Sequence, residues 1–297
     1  QDRFSNLSYP GINDNEINFL AEVPKLMRSM LTNKLKIFLP NLSNELREKL
    51  IDVAICDTRF TPTLNFNEIF SYVKNDLKKV KGLQLIMEKI MNNILEQSRD
   101  YGLENSFHLH MMPNLGLKEG REIMKYADQN EFGTTDIQFI INGAIKEAGL
   151  LLILNKYISI KTGSYPFGER FNVRNAPKKL NELVELCIDK IPSNQMPLLI
   201  GVGDTVTSAK DNTSNSWLRG GSDRGFLTLI QKLGESYKKE NQVIFVNSSN
   251  DQVLRPRVQG SDMSGISDPN DYLKFNMIIN DGPEEYIEWF KQLASKI

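Results

Sequence analysis

The 297 residues carry 36 basic and 37 acidic side chains, a formal net charge of -1, and 40% hydrophobic residues. That is enough chain to bury a core without disulfides or structural metals, in one large domain or two ordinary ones, and there is no basic surplus for gripping a nucleic acid. No apolar run approaches the roughly 20 residues needed to span a bilayer and the opening Gln1-Asp2-Arg3 has no signal-peptide character, so a cytoplasmic chain with no membrane partner is expected.

The first residues, a polar turn-rich stretch through Pro10-Gly11 that does not open on Met, lead us to expect a missing N-terminal segment, with a processed natural terminus as the alternative. Residues 14–33 place Ile17, Leu20, Val23, Met27, Met30 and Leu31 at helical spacing behind an Asp/Asn cluster, which predicts a helix restarting at Pro24. A short helix over 43–50, a strand over 52–57, two amphipathic helices within 66–102 parted near 79–81, and a strand over 106–112 follow. Cys56 and, later, Cys187 sit among apolar neighbours, as reduced buried thiols do, rather than in the spacing of a zinc site. This part of the chain lacks strand-helix alternation, which suggests an α+β module.

Beyond about residue 140 the rhythm changes. Helices are predicted over 146–158, 181–191, 222–239 and 284–297, and strands over 197–204, 242–247 and 274–280. Short aliphatic strands separated by helices argue for a parallel sheet covered on both faces, with ligands bound beyond the carboxyl ends of its strands. The stretches 163–176 and 252–271 read as loops.

Three signals in this second half carry chemistry. The strand LLIGVGD presents Asp204 at its carboxyl end, where it either holds a hard cation such as magnesium or caps the following turn. The string RGGSD puts Ser222 and Asp223 directly before a helix; Asp223 is either a second metal-site carboxylate or that helix's cap. Lys146 opens an otherwise aliphatic helix, from which its ammonium reaches a phosphate or simply stays in solvent. Further candidates for substrate binding are Thr134, Thr135 and Asp136 ahead of that helix, His108 and His110 on one face of a predicted strand, and Arg219; each has an ordinary reading as a turn, strand or surface residue.

Taken together, Lys146-Glu147-Ala148-Gly149 at a helix start, a strand ending Gly203-Asp204 and the later Gly-Ser-Asp-Arg-Gly resemble the third and fourth motifs of haloacid-dehalogenase-like phosphatases. Longer strings, among them GTTDIQFIINGAIKEAGLLLILNKY (133–157), TGSYPFGERFNVRNAP (162–177), PLLIGVGDTVTS (197–208) and RGGSDRGFLTLIQ (219–231), resemble the glucosylglycerol-phosphate phosphatases. The resemblance implies an α/β fold: a Rossmann-like core over 141–297, with 1–13 as a further remnant of it, and a large α+β cap over 14–140. It implies Lys146 as the phosphate-clamping lysine, Asp204 and Asp223 as acids for Mg2+, a small sugar-phosphate substrate, and glucosylglycerol-phosphate synthase as a partner. The family's fourth motif is interrupted here by 205–220, which sets Asp223 apart from Asp204. The family's first motif, Asp-x-Asp-Gly, occurs nowhere in the 297 residues. The chain alone is therefore expected to lack the nucleophile for an aspartyl phosphate. A phosphatase for another sugar phosphate and a non-catalytic sugar-phosphate-binding module are the rival readings.

Overall fold

The computed structural model describes residues 11–295 apart from 58, 119, 130, 212–213 and 249–256. Among these, 12–142 form one compact unit, and Gly11, 143–248 and 257–295 form another.

The unit 12–142 begins with α1 (Asp14–Phe38), started by a capping box in which Asn13 and Glu16 each accept the other's backbone N–H at 3.0 Å. Pro24 lies inside α1 without ending it, and the helix runs past the predicted end because Leu31 and Leu35 continue its buried stripe. Next come α2 (Asn44–Ala54), β1 (Ile55–Cys56), β2 (Thr63–Asn65) and α3 (Asn67–Ser71). The strand expected over 52–57 is mostly the last turn of α2: Leu50, Ile51 and Ala54 are buried at helical spacing, leaving two residues extended. The helix α4 (Leu77–Gln97) starts at Asp76, whose side chain accepts the N–H of Lys79 at 3.1 Å, so the break in 66–102 precedes the Lys79–Lys81 region. The unit closes with β3 (Phe107–Met112), the hairpin β4 (Asn114–Lys118) and β5 (Arg121–Met124), and β6 (Asp136–Ile141). An antiparallel sheet of order β1-β2-β6-β3 packs under α4, and Phe66, Phe70, Phe139, Met27 and Leu83 are wholly buried in the core between them. Burying each such side chain contributes about 1.5–3 kcal/mol, which is what fixes these elements together.

The second unit is of α/β type. It consists of α5 (Lys146–Thr162), α6 (Leu180–Lys190), β7 (Ile200–Gly203), β8 (Thr207–Lys210), β9 (Trp217–Gly220), α7 (Arg224–Tyr237), β10 (Gln242–Val246), β11 (Met277–Ile279) and α8 (Pro283–Ala294). The strands β11-β10-β7 form an open parallel sheet. Alternation along β10 explains its two covered faces: Val243 and Phe245 join Leu227, Ile230, Leu183 and Leu154 in one cluster, while Ile244 and Val246 meet Tyr286 and Trp289 of α8 in another. Cys187 lies in the first cluster, and burial pushes its thiol up to about 12. The interruption over 205–220 is largely a β8–β9 hairpin, in which Thr207 pairs with Gly220 and Lys210 with Trp217. No helix among the described residues is long and apolar enough to cross a membrane.

Candidate active site

Beyond the carboxyl end of β7 the backbone turns sharply, and two glycines make that turn possible. A Cβ on Gly203 would lie 2.7 Å from the Cβ of Asp223, and Gly221, at φ +93°, would put one 2.3 Å from the carbonyl oxygen of Thr205. The start of α7 is thereby pressed against the end of β7, closed by the Asp223 N–H donating to the Thr205 carbonyl at 3.0 Å.

Asp223 is the hub of this junction. It is 4% exposed, and its Oδ2 accepts the backbone N–H groups of Asp204 and Thr205, both at 2.9 Å. Its Oδ1 accepts the ammonium of Lys146, which also donates to Ser222 Oγ at 3.3 Å. Although it stands at the N-cap position of α7, its side chain makes no cap bond there. Asp204, half-buried, accepts the hydroxyl of Thr205 on Oδ1 and that of Ser248 on Oδ2, each at 2.7 Å. The structure thus brings Lys146, Asp204, Ser222 and Asp223 together at one edge of the sheet, from a helix start, a strand end and a second helix start. Ser248 and Thr205 are additional members that sequence reasoning missed; the available signal for Ser248 was its place just past the aliphatic strand β10.

The other candidates have partners of their own. Arg219 donates from Nε and Nη2 to the two oxygens of Asp268, both at 2.8 Å, and Ser208 adds a bond at 2.7 Å. The Asp268 side chain is fully buried, and the Arg219 guanidinium beside it holds its carboxyl well below the usual carboxylate range. His110 and the half-buried His108 are on β3 of the other unit, where His110 Nδ1 meets Glu122 Oε1 at 2.7 Å. Thr134, Thr135 and Asp136 are buried in that unit as well. Thr134 Oγ1 donates to the Pro113 carbonyl at 2.7 Å and accepts the Lys125 N–H at 2.9 Å.

For a cation the junction offers hard oxygens. Among the described residues no group of three or more His, Cys, Asp or Glu side chains gathers as a metal cluster would. Magnesium, however, takes only one or two carboxylates and completes its shell with water and phosphate oxygens, and the half-buried Asp204, whose oxygens meet neutral hydroxyls, fits that demand better than the buried Asp223, which is paired with an ammonium.

An ammonium, hydroxyls and two carboxylates gathered beyond the carboxyl edge of a parallel sheet stand where α/β proteins place their ligand sites. Comparison with known proteins gives this a family. Residues 1–294 match the family model described as glucosylglycerol-phosphate phosphatase. The chain is also similar to the glucosylglycerol-phosphate phosphatase of Synechocystis sp., at 38% identity over 312 aligned positions that cover 100% of this chain and 73% of that protein. The chain therefore belongs to the glucosylglycerol-phosphate phosphatase family, a haloacid-dehalogenase-like group of hydrolases. No solved structure matches it significantly.

Proposed function

We propose that this chain provides the phosphate-clamping and metal-holding half of a phosphatase acting on 2-O-glucosylglycerol 3-phosphate, in the synthesis of an osmolyte. The observation carrying this reading is the junction itself: Lys146 fixed between Ser222 and Asp223, with Asp204 attached to the same hub through its backbone N–H. An ammonium held by a buried carboxylate is oriented in advance, so it meets the equatorial oxygens of a phosphoryl group without reorganising at the moment of transfer. Asp204, its two oxygens steadied by Thr205 and Ser248, would hold Mg2+, which when bound supplies positive charge to the transferring phosphoryl group. Asp223 keeps the β7 turn and the lysine in register. The mechanism of the family runs through an aspartyl phosphate; with no Asp-x-Asp-Gly in the 297 residues, the attacking carboxylate would come from polypeptide outside them. The unit 14–140 would act as the cap that covers the glucosyl-glycerol portion and excludes water.

The test is phosphate release with glucosylglycerol phosphate and a panel of other sugar phosphates. It uses the 297-residue chain and the chain extended by the part of the Synechocystis relative that lies outside the match. Turnover is expected only in the extended form, and Lys146→Ala or Asp204→Asn is expected to lower it by about two orders of magnitude or more. Unaffected turnover in Asp204→Asn would overturn the metal assignment, and a preference for another sugar phosphate the substrate. An extended form that binds sugar phosphate without cleaving it would favour the non-catalytic module.

A further inference from the structure

Glu147, the neighbour of Lys146, reaches from the first turn of α5 to the first turn of α7. Its Oε1 stands 1.7 Å from the point that a Cβ on Gly225 would occupy, so the carboxylate takes this seat only because residue 225 is glycine. Gly225 is two residues beyond Asp223, so both partners of this approach adjoin both partners of the Lys146–Asp223 ion pair. The first turn of α7 has no cap from the side chain at its N-cap position, because the Asp223 carboxylate is turned away to the amides of 204 and 205 and to Lys146. That turn carries the partial positive charge of its amides, and a carboxylate set against it is held there.

We infer that Glu147 is a positioning residue, a brace seated on Gly225 that fixes the start of α5 against the start of α7 and so determines where the Lys146 ammonium stands. Lys146 needs such a brace. Its side chain is 52% exposed, so Asp223 and Ser222 can orient the ammonium only from the backbone position that the start of α5 gives it. Asp223 sets the direction of the ammonium, and Glu147 sets the distance between the two backbones from which the pair is made. The consequence for turnover rests on the phosphatase reading above, whereas the brace itself does not.

Spectroscopy of the 297-residue chain labelled with [13Cε]lysine tests it, with the Lys146 resonance assigned by its loss in Lys146→Arg. Gly225→Ala adds no charge and lies on another helix; the atom it meets is the far end of a flexible side chain, so it displaces the Glu147 carboxylate and not the backbone. It is expected to move the Lys146 resonance, as Glu147→Ala does, and to move it no further when the two changes are combined. The melting temperature should show the same coupling with a change of sign. Gly225→Ala lowers it in the native background and raises it by about 2 °C in the Glu147→Ala background, where alanine's helix preference is free to act. A Lys146 resonance unmoved by Gly225→Ala, or shifts that simply add, would remove the brace. In the extended, active form, either single change should lower kcat about tenfold and the pair no further. Absence of turnover in every form would count against the phosphatase reading and leave the resonance and melting results to decide the brace.

Discussion

Gln84, wholly buried in the unit 12–142, donates to the carbonyls of Lys125, Phe132 and Thr134 and accepts the N–H of Ala127, all within 2.9–3.1 Å. In the α/β unit three buried carboxylates do comparable work. Asp223, Asp268 and Asp271 are 4, 7 and 4% exposed, and Lys146, Arg219 and Arg224 meet them. The neutral amide stitches Lys125, Ala127, Phe132 and Thr134 to a helix, and needs only to satisfy backbone groups that burial would leave orphaned. The charged pairs secure the turn after β7, the β8–β9 hairpin and the loop 266–271, segments with little apolar surface of their own. Burying a carboxylate is tolerable only with full pairing, so these segments are held in one geometry or not at all. Such all-or-none fixing suits the neighbourhood of the proposed site.

The contrast breaks most visibly at Arg224. Its guanidinium donates to both oxygens of Asp271 at 2.8 and 2.9 Å and to the carbonyls of Thr207 and Ile266 at 3.0 Å. Arg224→Ala strands a buried charge and is expected to destabilise by about 4 kcal/mol in denaturant titration. If the loss is under about 1 kcal/mol, the charged network is dispensable. Gln84→Leu, which orphans neutral groups instead, should lose about 3 kcal/mol, with amide exchange accelerating first in 125–134.

Asp268 sharpens the comparison through pH. Its folded-state pKa is depressed chiefly by hydrogen bonds from Arg219, with Ser208 and the Asn270 N–H adding to them. The stabilisation it brings is therefore fully present above the unfolded aspartate value of about 3.9 and is lost as pH falls below that through the folded value. Wild-type stability should drop in this acid window by about 2 kcal/mol more than that of Asp268→Asn, which loses its share already at neutral pH. Parallel acid profiles would show that the pair contributes no charge-dependent stability. The smallest effect belongs to the surface: Arg28, 45% exposed and paired with Glu48 and Asp52, should lose only about 0.5 kcal/mol on replacement by Ala, and that loss should vanish in high salt.

Much of the α/β unit was legible because apolar runs are local. LLIGVG and QVIFV announce parallel strands, and the polar residues that follow them gather at one edge of the sheet. The hairpin β8–β9 was not legible: TSAK and WLRG carry no strong alternation and are strands only because they pair with each other. In the other unit β6 went unrecognised, since its apolar run DIQFII adjoins the start of α5 and only pairing with β2 and β3 separates them. Arg219 looked like a loop arginine free to meet an anion, because its partner Asp268 is 49 residues away in sequence.

By itself, the sequence determined the succession of helices and aliphatic strands, the absence of Asp-x-Asp-Gly, and the likeness of Lys146, Asp204 and Asp223 to phosphatase motifs. These are properties of neighbouring residues. Only the tertiary structure decided that Asp223 faces the 204–205 amides and Lys146 and does not cap its helix, that Ser248 steadies Asp204, and that Glu147 rests on Gly225. Each of those choices depends on which of several competing donors or open spaces lies within about 3 Å of a carboxylate, and that distance is set by the packing of β7, α5 and α7, which no local pattern encodes.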